Sequence, residues 1–133
     1  MKDTHQAPIL LDVPPGGDGE FDRTFLERLD HPVSMCHGPG EDEVCPLLGG
    51  KGCRLFEDAH GIVFALDLDR RQHRDILRRY RKDAAAEVPI RVVVRPGQAE
   101  RYAAELAEVE TWEHEPSVAD LDGFAAEVEA ADR

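Results

Sequence analysis

The sequence predicts an α/β fold, a three-layer, doubly wound sheet of five parallel strands in the order 2-1-3-4-5. Three observations predict it. Short apolar runs of strand type alternate with segments of helical periodicity along the chain. One of those runs, Gly61-Ile62-Val63-Phe64-Ala65-Leu66, is continuously apolar, as suits a strand covered by helices on both faces. It then runs into Asp67-Leu68-Asp69, which places carboxylates at the carboxyl edge of the sheet, where open α/β folds carry their sites. Strict alternation with short connections requires right-handed crossovers, and five strands then arrange as 2-1-3-4-5.

The first strand is Pro8 to Val13, stopped by Pro14-Pro15-Gly16-Gly17. A helix follows near Phe21 to Leu29, where Phe21, Phe25 and Leu29 recur every four residues and are expected inward. Pro32 to Cys36 is the second strand, broken by Gly38-Pro39-Gly40, and 38–52 is a long loop. The second helix starts near Cys53 and ends at Gly61, with Leu55, Phe56 and Ala59 on its inner face. The third strand is Ile62 to Leu68. The helix after it, Arg71 to Lys82, places His73, Ile76, Leu77 and Tyr80 on one stripe, the spacing of an amphipathic helix. Ile90 to Val94 is the fourth strand, ended by Pro96-Gly97, and a fourth helix spans 98–109 with Tyr102, Leu106 and Val109 inward. Thr111 to Glu115 is the fifth strand. The last helix begins after Ser117, an N-cap before an acidic first turn, and buries Val118, Leu121, Phe124, Ala125 and Val128. Residues 1–6 form a loose tail on one domain spanning 7–133.

A chain of 133 residues, 41% hydrophobic and 33% charged, has the composition of an ordinary globular domain. No apolar run approaches the roughly 20 residues of a membrane span, and the apolar stretch near the N-terminus is too short for a signal segment. A cytoplasmic protein without membrane association is expected. The net charge of −12 argues against nucleic acid as a partner. Charge is unevenly spread, with seven cations between Arg70 and Lys82 against Asp75 alone, and an acidic C-terminal stretch. Such segregation either steers a protein partner, pairs two copies, or forms two solvated helix faces.

Several residues stand at strand ends. Asp12 closes Ile9-Leu10-Leu11, Asp67 closes the third strand, and Glu115-Pro116 closes the fifth, with Trp112 three residues earlier. In this arrangement the chain resembles the receiver domains of bacterial two-component response regulators, of CheY-like, flavodoxin-like fold, from Pro8 to Glu129. The resemblance implies that Asp12 matches one member of a Mg²⁺-binding acidic pair, Asp67 the phosphoacceptor, Glu115 the lysine before a proline, and Trp112 the aromatic switch position. The chain departs from that pattern at three places. Val13 stands where the second metal-binding carboxylate would be, Val94 or Arg95 where a hydroxyl would be, and Glu115 where a cation would be.

Receiver phosphoryl transfer uses a divalent cation and a lysine to offset charge on the phosphoryl oxygens. Replacing that lysine by Glu115 changes the local charge by two units, each worth on the order of 4 kcal/mol at about 4 Å before screening. Arg95 is placed to pair with Glu115 or Asp67. The resemblance and its departures together imply an atypical signalling module acting through a protein partner or a homodimer, without conventional Asp phosphorylation. In receivers the face made by the fourth helix, fifth strand and fifth helix often mediates dimers, and here it would carry Tyr102, Trp112 and Phe124. The alternative within the family is a Mg²⁺-dependent phosphoacceptor at Asp67.

A second feature is a loop holding Cys36-His37, Cys45 and Cys53. Three cysteines make no disulfide framework. Three thiols and His37 supply four ligands of the softness that zinc or an iron–sulfur cluster requires, yet the spacings lack Cys-x₂-Cys pairs. The same cysteines serve equally as plain structural residues or as a reversible disulfide, such as Cys45 with Cys53, so a metal- or thiol-based redox sensor stands beside the signalling module. Gly49-Gly50-Lys51-Gly52 lacks the first glycine and the hydroxyl of a P-loop. His114 lies between Glu113 and Glu115 on the opposite face of a strand, and is expected as a buried or partly buried structural histidine. No activated nucleophile or acid–base pair emerges, which argues against an enzyme with its own substrate.

Overall fold

The apolar runs form the strands and each is short: β1 (Ile9–Asp12), β2 (Val33–Cys36), β3 (Gly61–Phe64), β4 (Ile90–Val93) and β5 (Glu110–Trp112). The computed structural model describes residues 7–14, 19–40 and 42–132. The expected tail at residues 1–6 and the Pro15-Gly16-Gly17 stop lie outside them. All pairings are parallel, in the order β2-β1-β3-β4-β5. Between the strands run α1 (Gly19–Arg28), α2 (Arg54–Glu57), α3 (Arg71–Asp83), α4 (Gln98–Arg101) and α5 (Val118–Asp132).

Strand alternation divides the core into two layers. Ile9, Leu11, Val63 and Val93 face α1 and α5, where Leu26, Leu121, Phe124 and Val128 cover them. Leu10, Ile62, Phe64 and Val92 face the other side, covered by Leu47, Ile76, Leu77, Tyr80 and Leu106. His73, Ile76, Leu77 and Tyr80 are the buried stripe of α3, as their spacing predicts. Ser117 caps α5 reciprocally: its hydroxyl accepts the Asp120 N–H at 3.1 Å while the Asp120 carboxylate accepts the Ser117 N–H at 2.9 Å. Gly19 lets α1 start hard against the sheet, since a Cβ there would lie 2.7 Å from Val13 Cγ2 and 2.8 Å from Met35 Cε.

Several local expectations are corrected. The expected fourth helix is one turn, and 102–108 continues as turns. The Tyr102 hydroxyl is drawn to Asp69, Arg81 donates to the carbonyls of Glu105 (2.6 Å) and Ala107, and Glu108 adopts φ 66°. The second helix is likewise a single turn with Leu55 exposed. Phe21 and Val118 also face solvent, because α1 turns Gly19, Asp22 and Leu26 inward and α5 turns Leu121, Phe124 and Val128 inward. Strand three ends at Phe64, four residues early; Leu66 and Leu68 stay buried, but Arg74 takes the Leu68 carbonyl at 2.7 Å and His73 the Asp67 carbonyl at 3.1 Å. The basic stripe of α3 is largely engaged within the chain. Arg78 pairs with Asp75 and Glu105, Arg79 with Asp83, and Arg74 lies 5.0 Å over the Tyr102 ring.

Candidate functional site

Parallel pairing gathers the carboxyl ends of β1, β3, β4 and β5 at one edge. Beyond Phe64 the chain passes through Asp67 and Asp69, and beyond Val93 through Arg95 into α4. Asp67 Oδ1 accepts from Arg95 Nη1 at 2.8 Å, from Gln98 Nε2 at 3.0 Å and from the Asp69 N–H at 3.0 Å. Gln98 is itself fully buried, and its Oε1 accepts the Arg95 N–H at 2.9 Å, so the amide bridges β4's exit to Asp67. Asp69 accepts from the Tyr102 hydroxyl at 2.6 Å and from Arg101 at 3.0 Å. The Tyr102 hydroxyl first, and Arg101 with it, hold the Asp69 carboxyl below its ordinary value. The exposed pairs are screened by solvent and contribute little; the buried Gln98 amide, with both ends bonded, supplies the geometric definition. Both acidic residues are thus tied to α4 by groups of this chain.

Asp12 is turned elsewhere. It is wholly buried and neither carboxylate oxygen accepts a hydrogen bond. In the parallel pair of β1 with β2 it stands opposite Cys36, on the same face, with the Tyr80 hydroxyl reaching toward it from α3. Neither neighbour closes a hydrogen bond of ordinary geometry. Burial lifts the Asp12 carboxyl from 3.8 to about 7, against a lowering by Tyr80 and Cys36. Burial, then the Asp12 charge, lifts the Cys36 thiol from 9.0 to about 11, and burial raises the Tyr80 phenol as well.

Glu115 is exposed and makes no ion pair among the described residues. It lines a cavity of about 210 Å³ on the α1/α5 side of the strand tips, with Val13, Asp22, Val63, Ala65, Arg95 and Glu113. Asp67 does not line it. Of the two partners open to Arg95, the structure selects Asp67. Because β5 ends at Trp112, Glu113, His114 and Glu115 lie past the strand, and His114 is exposed rather than buried. Trp112 packs edge-to-face on Phe124 at 6.2 Å, and Phe124 is a core residue, unavailable to a surface. A larger cavity, about 510 Å³, opens at the opposite end of the sheet, lined by Phe56, Ile62, Val88 and Glu87, away from every strand-end carboxylate.

Cys36, Cys45 and Cys53 are free thiols, each half-buried against the α3-side core. His37 is exposed and its Nδ1–H donates to the Val13 carbonyl at 2.9 Å. Among the described residues no three of His, Cys, Asp and Glu gather around a point fit for a metal ion, and this includes the set Cys36, His37, Cys45 and Cys53. Residue patterning placed Asp69 at the strand edge, Tyr102 on the fourth helix and His73 on the α3 stripe but did not join Tyr102 or His73 to the acidic tip, and it missed Gln98 and Arg101. Pro96-Gly97 marks a helix start and so locates Gln98, but nothing local signals that its amide turns back to Asp67. His73 Nδ1–H donates to the Asp67 carbonyl while its buried Nε2 has no partner, and burial lowers its pKa.

No protein-family profile and no curated protein sequence matches the chain. Solved structures do. A response regulator receiver protein from Sinorhizobium medicae superposes with TM-score 0.68 at 13% identity, covering 98% of this chain and 100% of its own. A CheY-like receiver domain protein from Methanospirillum hungatei gives 0.67 at 14% identity (96% and 97%), and a receiver domain protein from Clostridium thermocellum 0.66 at 15% (95% and 94%). The sheet order, the placement of α1 and α5 on one face, and these superpositions agree: the chain has the fold of CheY-like receiver domains.

Proposed function

We propose that this domain is a signalling module that acts by protein–protein contact, its acidic tip held by its own cations and amide rather than by Mg²⁺ and a phosphoryl group. The observation that carries this reading is the occupation of Asp67. One carboxylate oxygen already accepts from Arg95, Gln98 and the Asp69 N–H, all within 3.0 Å. A Mg²⁺ site needs oxygens converging in near-octahedral geometry. Asp12, the other candidate ligand, faces Cys36 and Tyr80 within the core, and Val13 adds no oxygen. The residues present therefore do not fit that ion. Glu115, on the rim of a cavity that Asp67 does not line, brings no cation to the strand tips. Arg95 then does constitutively, by an ion pair across β3 and β4, what a charge-neutralising ligand does transiently.

The test is treatment with acetyl phosphate and Mg²⁺, followed by intact mass measurement. The expected result is an unchanged mass. A stoichiometric gain of one phosphoryl group that vanishes in Asp67→Asn would overturn the proposal and establish the phosphoacceptor alternative.

A further inference from the structure

We propose that the cavity at the amino end of the sheet binds a small amphiphilic amine, with the apolar body on the cavity floor and the ammonium group at the mouth. The cavity holds about 510 Å³, within the range of roughly 300–1,000 Å³ that suits a small organic ligand. Its floor is apolar: Phe56, Ala59, Ile62 and Val88 line it, and Ile62 is wholly buried. The walls are held in place. Phe56 stacks on Tyr80 at 4.8 Å with the ring planes 3° apart. The Ile62 N–H donates to the Pro89 carbonyl at 3.0 Å and the Val88 N–H to the Ala85 carbonyl at 3.0 Å, which fixes the chain segments on either side.

Charge at the mouth selects the sign of the ligand. Glu57, Asp83 and Glu87 line the cavity, and among the described residues no lysine or arginine does. Asp83 pairs with Arg79 at 3.8 Å, whereas Glu57 and Glu87 carry no ion pair among the described residues. His60 also lines the cavity, its backbone N–H donating to the Pro8 carbonyl at 2.8 Å. α3 ends at this rim: Asp83 is the last of its 13 residues and Ala84 turns extended, so the negative end of the helix dipole lies here. Of the cations in its last turn, Arg81 is engaged by the Glu105 and Ala107 carbonyls, and neither it nor Lys82 lines the cavity.

Other ligand classes fit worse. An anion would meet three carboxylates and a helix C-terminus, with no lysine or arginine to receive it. A sugar or other polar neutral molecule needs hydrogen-bonding groups on the floor, which offers methyl and aromatic groups instead. A wholly apolar body would gain from the floor but would bring no donor to Glu57 or Glu87. An apolar body bearing one ammonium group satisfies both surfaces, since its N–H donors meet carboxylates that stay at the solvent edge. The site lies at the opposite end of the sheet from Asp67, so this inference stands apart from how the acidic tip is held.

The experiment titrates the isotopically labelled full chain with phenethylamine at neutral pH and follows the backbone amides by NMR. Two further compounds keep the phenyl body and change the head group: 2-phenylethanol is neutral and 3-phenylpropanoate is anionic. Saturable shifts over 56–62 and 83–88 are expected with the amine, while the amides of Asp67 and Arg95 stay unmoved. The alcohol should bind about fivefold more weakly, the worth of one solvent-screened ion pair, and the carboxylate more weakly still. Glu57→Gln combined with Glu87→Gln should lower the amine to the affinity of the alcohol; both residues are exposed, and an unchanged spectrum outside the cavity verifies the fold. Shifts that do not saturate, saturation centred elsewhere, equal affinity for the three compounds, or an amine affinity unmoved in the double variant would each overturn the assignment.

Discussion

Replacing Asp12 by asparagine removes an ionisable group from the core at nearly constant volume. In the fold its carboxyl sits at about 7 rather than 3.8, because burial disfavours the charged form. At 1.36 kcal/mol per pKa unit, holding that carboxylate ionised in the fold costs about 4 kcal/mol. The sign follows from linkage. A raised carboxyl binds its proton more tightly in the folded state, so its contribution is fully present below the unfolded value and is lost as pH rises through about 7. Cys36 and Tyr80, the titratable groups facing it, remain neutral across that window, since both are raised. Urea unfolding of the wild type and Asp12→Asn, compared from about pH 4 to about pH 8, measures the difference. The variant should match the wild type near the acid end and gain up to about 4 kcal/mol by pH 8. A constant difference across the range, or a variant less stable near pH 8, would refute the placement of Asp12 as a buried, unpartnered acid.

Other consequences are local. Gly61→Ala puts a Cβ 2.5 Å from Val128 Cγ2 and 3.1 Å from Phe124, and should cost about 1–3 kcal/mol with an unchanged urea slope. Ser117→Ala removes the acceptor for the Asp120 N–H and should lower stability by about 1 kcal/mol, read as a shift of the denaturation midpoint. Tyr102→Phe deletes the hydroxyl that chiefly lowers Asp69, so the Asp69 carboxyl, followed by carbon-detected NMR, should titrate closer to its ordinary value. An unmoved Asp69 would show that Arg101 alone governs it.

The sheet order was legible because continuous apolar runs and helical stripes alternate, and because short connections leave few topologies. The Ser117 cap and the α3 stripe were legible for the same local reasons. Helix four was not. Its apolar spacing is helical, but the tertiary hydrogen bonds of Arg81 and Tyr102 unwind it after one turn, and no local pattern encodes those bonds. Asp12 sits where a strand-end acid belongs, and only its pairing with Cys36 shows that the terminal residue of β1 still points into the core. Phe21 and Val118 match helical periods that are satisfied equally well one residue around the helix. The site divided in the same way. Arg95 and Asp67 were identifiable as strand-end residues, but the choice of Asp67 over Glu115 required the path of β4 into α4.

The central claim is that Asp67 and Asp69 are partnered by groups of this chain, Asp12 is turned into the core, and the three are not arranged for a divalent cation. Titrating Mg²⁺ into the isotopically labelled protein, and following the backbone amides of Asp12, Asp67, Asp69 and Arg95 by NMR, tests it directly. The account predicts only small, linear, non-saturating shifts at millimolar Mg²⁺. Saturable shifts centred on Asp67 and Asp12, absent in Asp67→Asn, would contradict it.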